Sequence, residues 1–135
     1  MKTSRISLEI ALKEINFIIE KIAPFSETIF ENDPLIQRAT VLSLIIIGEE
    51  TGKVNKAIKE KYIDLPWELM SGMRNKMVHN YDGIDTAIVW KTVKNDIPAL
   101  KNEIENILSN ENILLDNNKT GKIRLCMKNC LVRFF

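Results

Sequence analysis

Apolar residues recur at intervals of three and four from Ile6 to Ile22, with Leu8, Leu12, Ile15, Ile19 and Ile22 on one stripe. That is the period of a helix that buries one face. Pro24 closes the run, because proline has no amide hydrogen with which to continue the helical ladder. A short segment, SETIFEN, leads to Asp33-Pro34, a capping acceptor followed by a proline suited to a first turn. A second helix is predicted from there to Gly52, apolar on most sides and so largely buried. VNKAIKEKY suggests a short helix before DLPWELMSGMRNKMVHNY. In that longer stretch Pro66 suits a first turn, and Trp67, Leu69, Met70, Met73 and Met77 supply packing. After the turn DGID, the segment TAIVWKTVKNDIPALKNEIENIL sets Ile88, Val93, Ile97, Leu100, Ile104, Ile107 and Leu108 on one side of a last long helix. Pro98 is expected to kink it. No alternating strand pattern precedes residue 110, and no internal repeat is present. The expected fold is all-α: an up-and-down bundle of four to five helices over residues 1–115. The tail 116–135 breaks this organisation, and its structure is left open.

Composition is that of an ordinary soluble chain, with 45% apolar and 27% charged residues in 135, enough for one sizeable core. The longest apolar run, LIIIG near residue 46, is far short of a bilayer crossing. The amino terminus carries acidic residues where a signal peptide needs an unbroken apolar stretch, so a cytoplasmic protein with no membrane role is expected. Charge is unevenly spread: residues 1–115 hold 14 Lys and Arg against 17 Asp and Glu, and residues 116–135 hold five basic groups against Asp116 alone. A mildly acidic body argues against binding nucleic acid by phosphate neutralisation over a broad face, and leaves only a local site for such a role. Cys126 and Cys130 are four apart, but two thiols fall short of a structural zinc site, and unpaired reduced thiols are the expectation. No metal and no cofactor is expected.

The only histidine, His79, lies in GMRNKMVHNYDG, with Arg74 five residues before it and Tyr81 two after. On an ideal helix Asn75 and His79 share a face, and Arg74 and Tyr81 share a neighbouring one, so these polar groups could converge on one patch. The plain alternative is a surface imidazole near a helix carboxyl end, where the helix dipole welcomes it. Glu49 and Glu50 are adjacent and point about 100 degrees apart on a helix, which favours solvated or capping roles over a catalytic carboxylate pair. Trp67 and Trp90, bordered by apolar neighbours, are read as core or dimer-interface residues, and Met70, Met73 and Met77 as packing.

The order Arg, four residues, His, any residue, Tyr, with Asn directly after the Arg, resembles the signature of the HEPN superfamily, and its surroundings resemble the HepT branch. The likeness extends to IGEE at 47–50, LPW at 65–67, GMRNKMVHNY at 72–81 and VWKTVKNDIPAL at 89–100. Asn80 stands where the family often has an acidic residue, and the tail after residue 115 has no counterpart in it. The resemblance implies a HEPN-like bundle and a metal-independent endoribonuclease, the toxin of a toxin–antitoxin pair, acting on tRNA or mRNA. It implies His79 as acid/base, Arg74 as the cation that grips phosphate and Asn75 as a polar positioner. It further implies a homodimer that brings two motifs to one cleft. Tyr81 would be the acceptor of AMP from an antitoxin similar to the minimal nucleotidyltransferase MntA. The alternative left open is a non-catalytic subunit that binds a nucleotide or serves only as the nucleotidyltransferase's substrate.

Overall fold

The computed structural model describes residues 2–112; the tail 116–135 and both cysteines lie outside them. Helix α1 (Lys2–Phe17) runs on through a π-helical turn (Ile18–Ile22), followed by α2 (Glu27–Asn32), α3 (Pro34–Gly52), α4 (Lys56–Lys61) and α5 (Trp67–His79). A 3-10 turn (Tyr81–Gly83) then leads to α6 (Thr86–Lys91), which a second π-turn (Thr92–Asp96) joins to α7 (Ile97–Asn112). Every regular element among the described residues is helical, as the spacing of apolar positions requires. The long rods form the bundle: α3 packs on α5 and on α1, and α1 packs on α7.

Side-chain caps set the helix starts. Asp33 Oδ1 accepts from the Leu35 and Ile36 amides at 2.9 and 3.3 Å to begin α3. Ser26, Asn55 and Asp85 do the same for α2, α4 and α6. Each satisfies amides that the first turn leaves without a helical partner. Both π-turns close on the residue just before a proline: the Ala23 amide bonds Ile18 O ahead of Pro24, and the Ile97 amide bonds Thr92 O ahead of Pro98. A proline ring crowds the carbonyl four residues back, and a widened turn moves that carbonyl aside. The distortion expected at Pro98 therefore takes the form of a π-turn.

The core is drawn from every long rod, with Leu8, Ile15, Leu44, Ile47, Met70, Met73, Met77, Ile104 and Ile107 fully buried. Both tryptophans belong to it. Trp90 packs on Phe30 with ring centroids 5.2 Å apart, and Trp67 Nε1 donates to Tyr62 O at 3.0 Å. One contact governs the position of the polar motif. A Cβ on Gly48 would lie 3.0 Å from the Met70 carbonyl and would collide with Arg74 Cβ, so the bare glycine lets α3 lie directly on α5.

Candidate active site

Helix α5 buries Trp67, Met70, Met73 and Met77 and turns Asn75, Lys76 and His79 outward. Arg74 stands at the border of the two faces, its side chain 31% exposed. Close packing at Gly48 brings the next residue of α3, Glu49, against it: Arg74 Nη2 donates to Glu49 Oε1 in an ion pair. Arg74 Nη1 donates to Asn75 Oδ1 at 2.8 Å. Arg74 Nε is buried with no hydrogen-bond partner among the described residues. The guanidinium plane is thus tied at both terminal nitrogens and walled in along its stem. An ion pair this exposed contributes about 1 kcal/mol or less to stability; its consequence is orientation.

The paired glutamates diverge as their spacing requires. Glu49 reaches across to α5, while Glu50 is buried and takes Lys53 Nζ at 2.6 Å on its own helix. The solvated or capping role expected of Glu49 is corrected: it is the counterion of the motif arginine. Helical periodicity within one segment carries no trace of a contact between residues 25 apart. The signal available was a glycine beside a carboxylate in an otherwise apolar helix.

His79 is the last residue of α5, and its exposed imidazole has no hydrogen-bond partner among the described residues. Asn75 and His79 do share an outward side one turn apart. Tyr81 does not continue the helix, which corrects the expectation that it would share a helical face with Arg74. Asn80 leaves the helix at φ −151° and ψ 50° while its amide still bonds Lys76 O at 2.9 Å. The Gly83 amide then bonds Asn80 O at 3.2 Å. A Cβ on Gly83 would meet the end of the Asn80 side chain at 2.8 Å, a contact that a shift of that exposed side chain relieves. Tyr81 opens that turn, two residues past His79.

Beside the end of α5 runs an apolar groove of about 530 Å³, lined by Val41, Leu42 and Ile45 of α3, Met77 and Val78 of α5, and Ile84. Leu42 and Val78 are 59% and 43% exposed in it. Among the described residues no three His, Cys, Asp or Glu side chains gather as a metal site would need, and no helix is long and apolar enough to cross a membrane.

The site can present a cationic fork to a phosphate and, about one turn further on, an exposed imidazole. In chemical class this suits a protein that handles a phosphodiester. Comparison with known proteins agrees. The family model described as "Ribonuclease HepT-like" matches residues 11–107. A protein named "Putative RNase" from Caldanaerobacter subterraneus subsp. tengcongensis is 40% identical over 111 residues, 82% of this chain and 99% of its own. Another of that name, from Methanocaldococcus jannaschii, is 38% identical over 94 residues, 70% of this chain and 86% of its own. The protein named "Probable ribonuclease HepT" from Thermococcus cleftensis is 39% identical over 100 residues, 71% of this chain and 91% of its own. No solved structure matches. The chain belongs to the HepT-like ribonuclease family.

Proposed function

We propose that the protein is a metal-independent endoribonuclease, the toxin of a toxin–antitoxin pair, which cuts RNA through Arg74 and His79 and is silenced by AMP transfer to Tyr81. The observation that carries this reading is the Arg74 fork, held by Glu49 and Asn75 one turn before an exposed imidazole. Cleavage proceeds from the RNA itself. A base removes the proton of the ribose 2'-hydroxyl, O2' attacks the adjacent phosphorus, the P–O5' bond breaks, and an acid gives a proton to O5'. The products are a 2',3'-cyclic phosphate and a 5'-hydroxyl. Arg74 stabilises the charge that builds on the phosphorane, Asn75 helps hold that cation, and His79 handles the proton.

One histidine serves two proton transfers poorly, and a second chain related by a two-fold axis supplies another. The groove at the end of α5, with Leu42 and Val78 open in it beside Arg38 and Asp82, offers largely apolar surface for such a pairing. Control through Tyr81 is proposed on its chain position, in the turn two residues beyond His79. An attached phosphate about 5 Å from an RNA phosphate, at an effective dielectric near ~20, repels it by roughly 3 kcal/mol, about a hundredfold in binding. The other tyrosine is already engaged: Tyr62 Oη donates to Glu111 Oε2 at 2.9 Å.

The test is RNA cleavage by purified protein in excess EDTA, before and after incubation with the nucleotidyltransferase partner, ATP and Mg²⁺. The expected result is cleavage with EDTA present, then a gain in mass by AMP and loss of activity, with no gain for Tyr81→Phe. An equal mass gain by Tyr81→Phe would place the acceptor elsewhere, and inactivity in EDTA restored by a metal would reject the mechanism.

A further inference from the structure

We propose that Glu49 is a positioning residue of the phosphate site: it acts through Arg74, locking the guanidinium in the one orientation that leaves a forked pair of N–H groups for RNA. The inference rests on the ribonuclease reading of Arg74 and extends it to a residue of another helix.

A guanidinium carries one N–H on Nε and a pair on each terminal nitrogen. The Nε group is buried, Asn75 takes one hydrogen of Nη1, and Glu49 takes one of Nη2. One hydrogen on each terminal nitrogen remains, and with Asn75 and Glu49 on the outer hydrogens the two left are the parallel pair that meets two oxygens of a phosphate. Rotation of the group about its stem would break both tethers. Asn75 is the neighbour of Arg74 on the same helix and moves with it, so among the described residues Glu49 is the hydrogen-bond partner that references the fork to another helix. Gly48 makes this possible, because a side chain there would hold α3 off α5.

A carboxylate beside a phosphate-binding cation also has a cost, since it lowers the positive charge that attracts RNA. The two effects move different parameters. Orientation of a group that acts on the transition state appears in kcat, and a misplacement of about an ångström can cost up to a hundredfold. Charge screening of the incoming backbone appears in KM. If Glu49 positions Arg74, its removal lowers kcat even as KM improves. If it were only a counterion, removal would lower KM and leave kcat intact.

The experiment compares wild type, Glu49→Ala, Glu49→Gln and Arg74→Ala on one short RNA, with kcat and KM determined separately. Circular dichroism and thermal melts restrict the comparison to folded protein. Glu49→Ala is expected to lose about tenfold to a hundredfold in kcat with KM equal or lower. Glu49→Gln keeps the length and one oxygen acceptor and is expected to return to within about fivefold of wild type, consistent with one neutral hydrogen bond in place of a charged one. A readout independent of activity is the nitrogen-15 spectrum of the Arg74 side chain. Slow guanidinium rotation in the wild type is expected to become fast in Glu49→Ala and to stay slow in Glu49→Gln. Unchanged kcat in Glu49→Ala, or fast rotation in the wild type, would overturn the proposal. If wild type and Arg74→Ala cut RNA equally, the ribonuclease reading of the site falls instead, and the spectrum still reports whether the clamp exists.

Discussion

At the contact between α3 and α5 Arg74 is tethered by Glu49 and Asn75, whereas the end of α5 leaves His79 in the open five residues later. The difference suits the roles proposed for the two groups. A cation that stabilises developing charge gains by being set before the substrate arrives, because no reorganisation is then needed during reaction. In the proposed reaction a proton-transfer group has to reach an oxygen that arrives only with the RNA, and an open position allows that approach. The molecule therefore assigns rigidity to the helix–helix seam and leaves its terminal turn accessible.

The largest effect expected from breaking this comparison is in catalysis. Arg74→Ala and His79→Ala should each reduce RNA cleavage by about two orders of magnitude or more, with melting temperatures close to wild type. Mixing the two inactive variants sharpens the point. If one site draws on both chains, the mixed dimer keeps one His79 and one Arg74 and recovers partial activity. A fully active monomer by sedimentation would contradict the shared site.

Gly48→Ala tests the seam by itself. The added Cβ meets Met70 O at 3.0 Å and collides with the Arg74 stem, so the helices must part. Overpacking of this kind costs about 1 to 3 kcal/mol, read from chemical denaturation. Activity should fall in the surviving folded fraction as well, because Arg74 is displaced. A substitution that changes neither stability nor activity would show that α3 and α5 do not need this close approach.

The smallest effect is expected far from the site, at the other end of α5, where Tyr62 and Lys61 converge on Glu111. The Lys61 hydrogen bond, opposed by partial burial and aided by that of Tyr62, holds the Glu111 carboxyl below its usual 4.5. A carboxyl whose folded pKa is depressed contributes stability that is present above the unfolded value and is lost as pH falls through the folded one. Glu111→Gln should therefore cost about 1 kcal/mol or less near neutral pH. Its melting curve should converge on that of wild type once the pH is below the folded pKa. Cleavage should be unaffected. A difference that persists in acid would assign the loss to packing.

How far the sequence alone leads differs between these regions. Helix starts were legible at Asp33-Pro34 and through the apolar stripe of α1, because caps and periodicity are local properties. Cysteines 126 and 130 fall outside the described residues. The seam was not legible. Helix α3 is apolar around most of its surface, so periodicity gives no rotational register, and the Glu49 to Arg74 pair exists only once Gly48 lets two helices touch. Helix α5 ends at His79, short of the Tyr81 to which the sequence pattern carries it. Asn80, a residue that competes for backbone hydrogen bonds, and the following Asp-Gly pair were the local warnings. The π-turns have no sequence pattern of their own, although each sits just before a proline.

The central claim is that RNA supplies its own nucleophile and that Arg74 and His79 serve that reaction. The measurement that addresses it most directly is cleavage, in excess EDTA, of an RNA oligonucleotide carrying a single 2'-deoxyribose at the scissile position, beside the all-ribose parent. The parent should be cut by wild type, leaving a 2',3'-cyclic phosphate, and should resist His79→Ala. The deoxy substrate should resist wild type as well. Cleavage of the deoxy substrate at the parent's rate would contradict the claim, because the group held to attack the phosphorus would be absent.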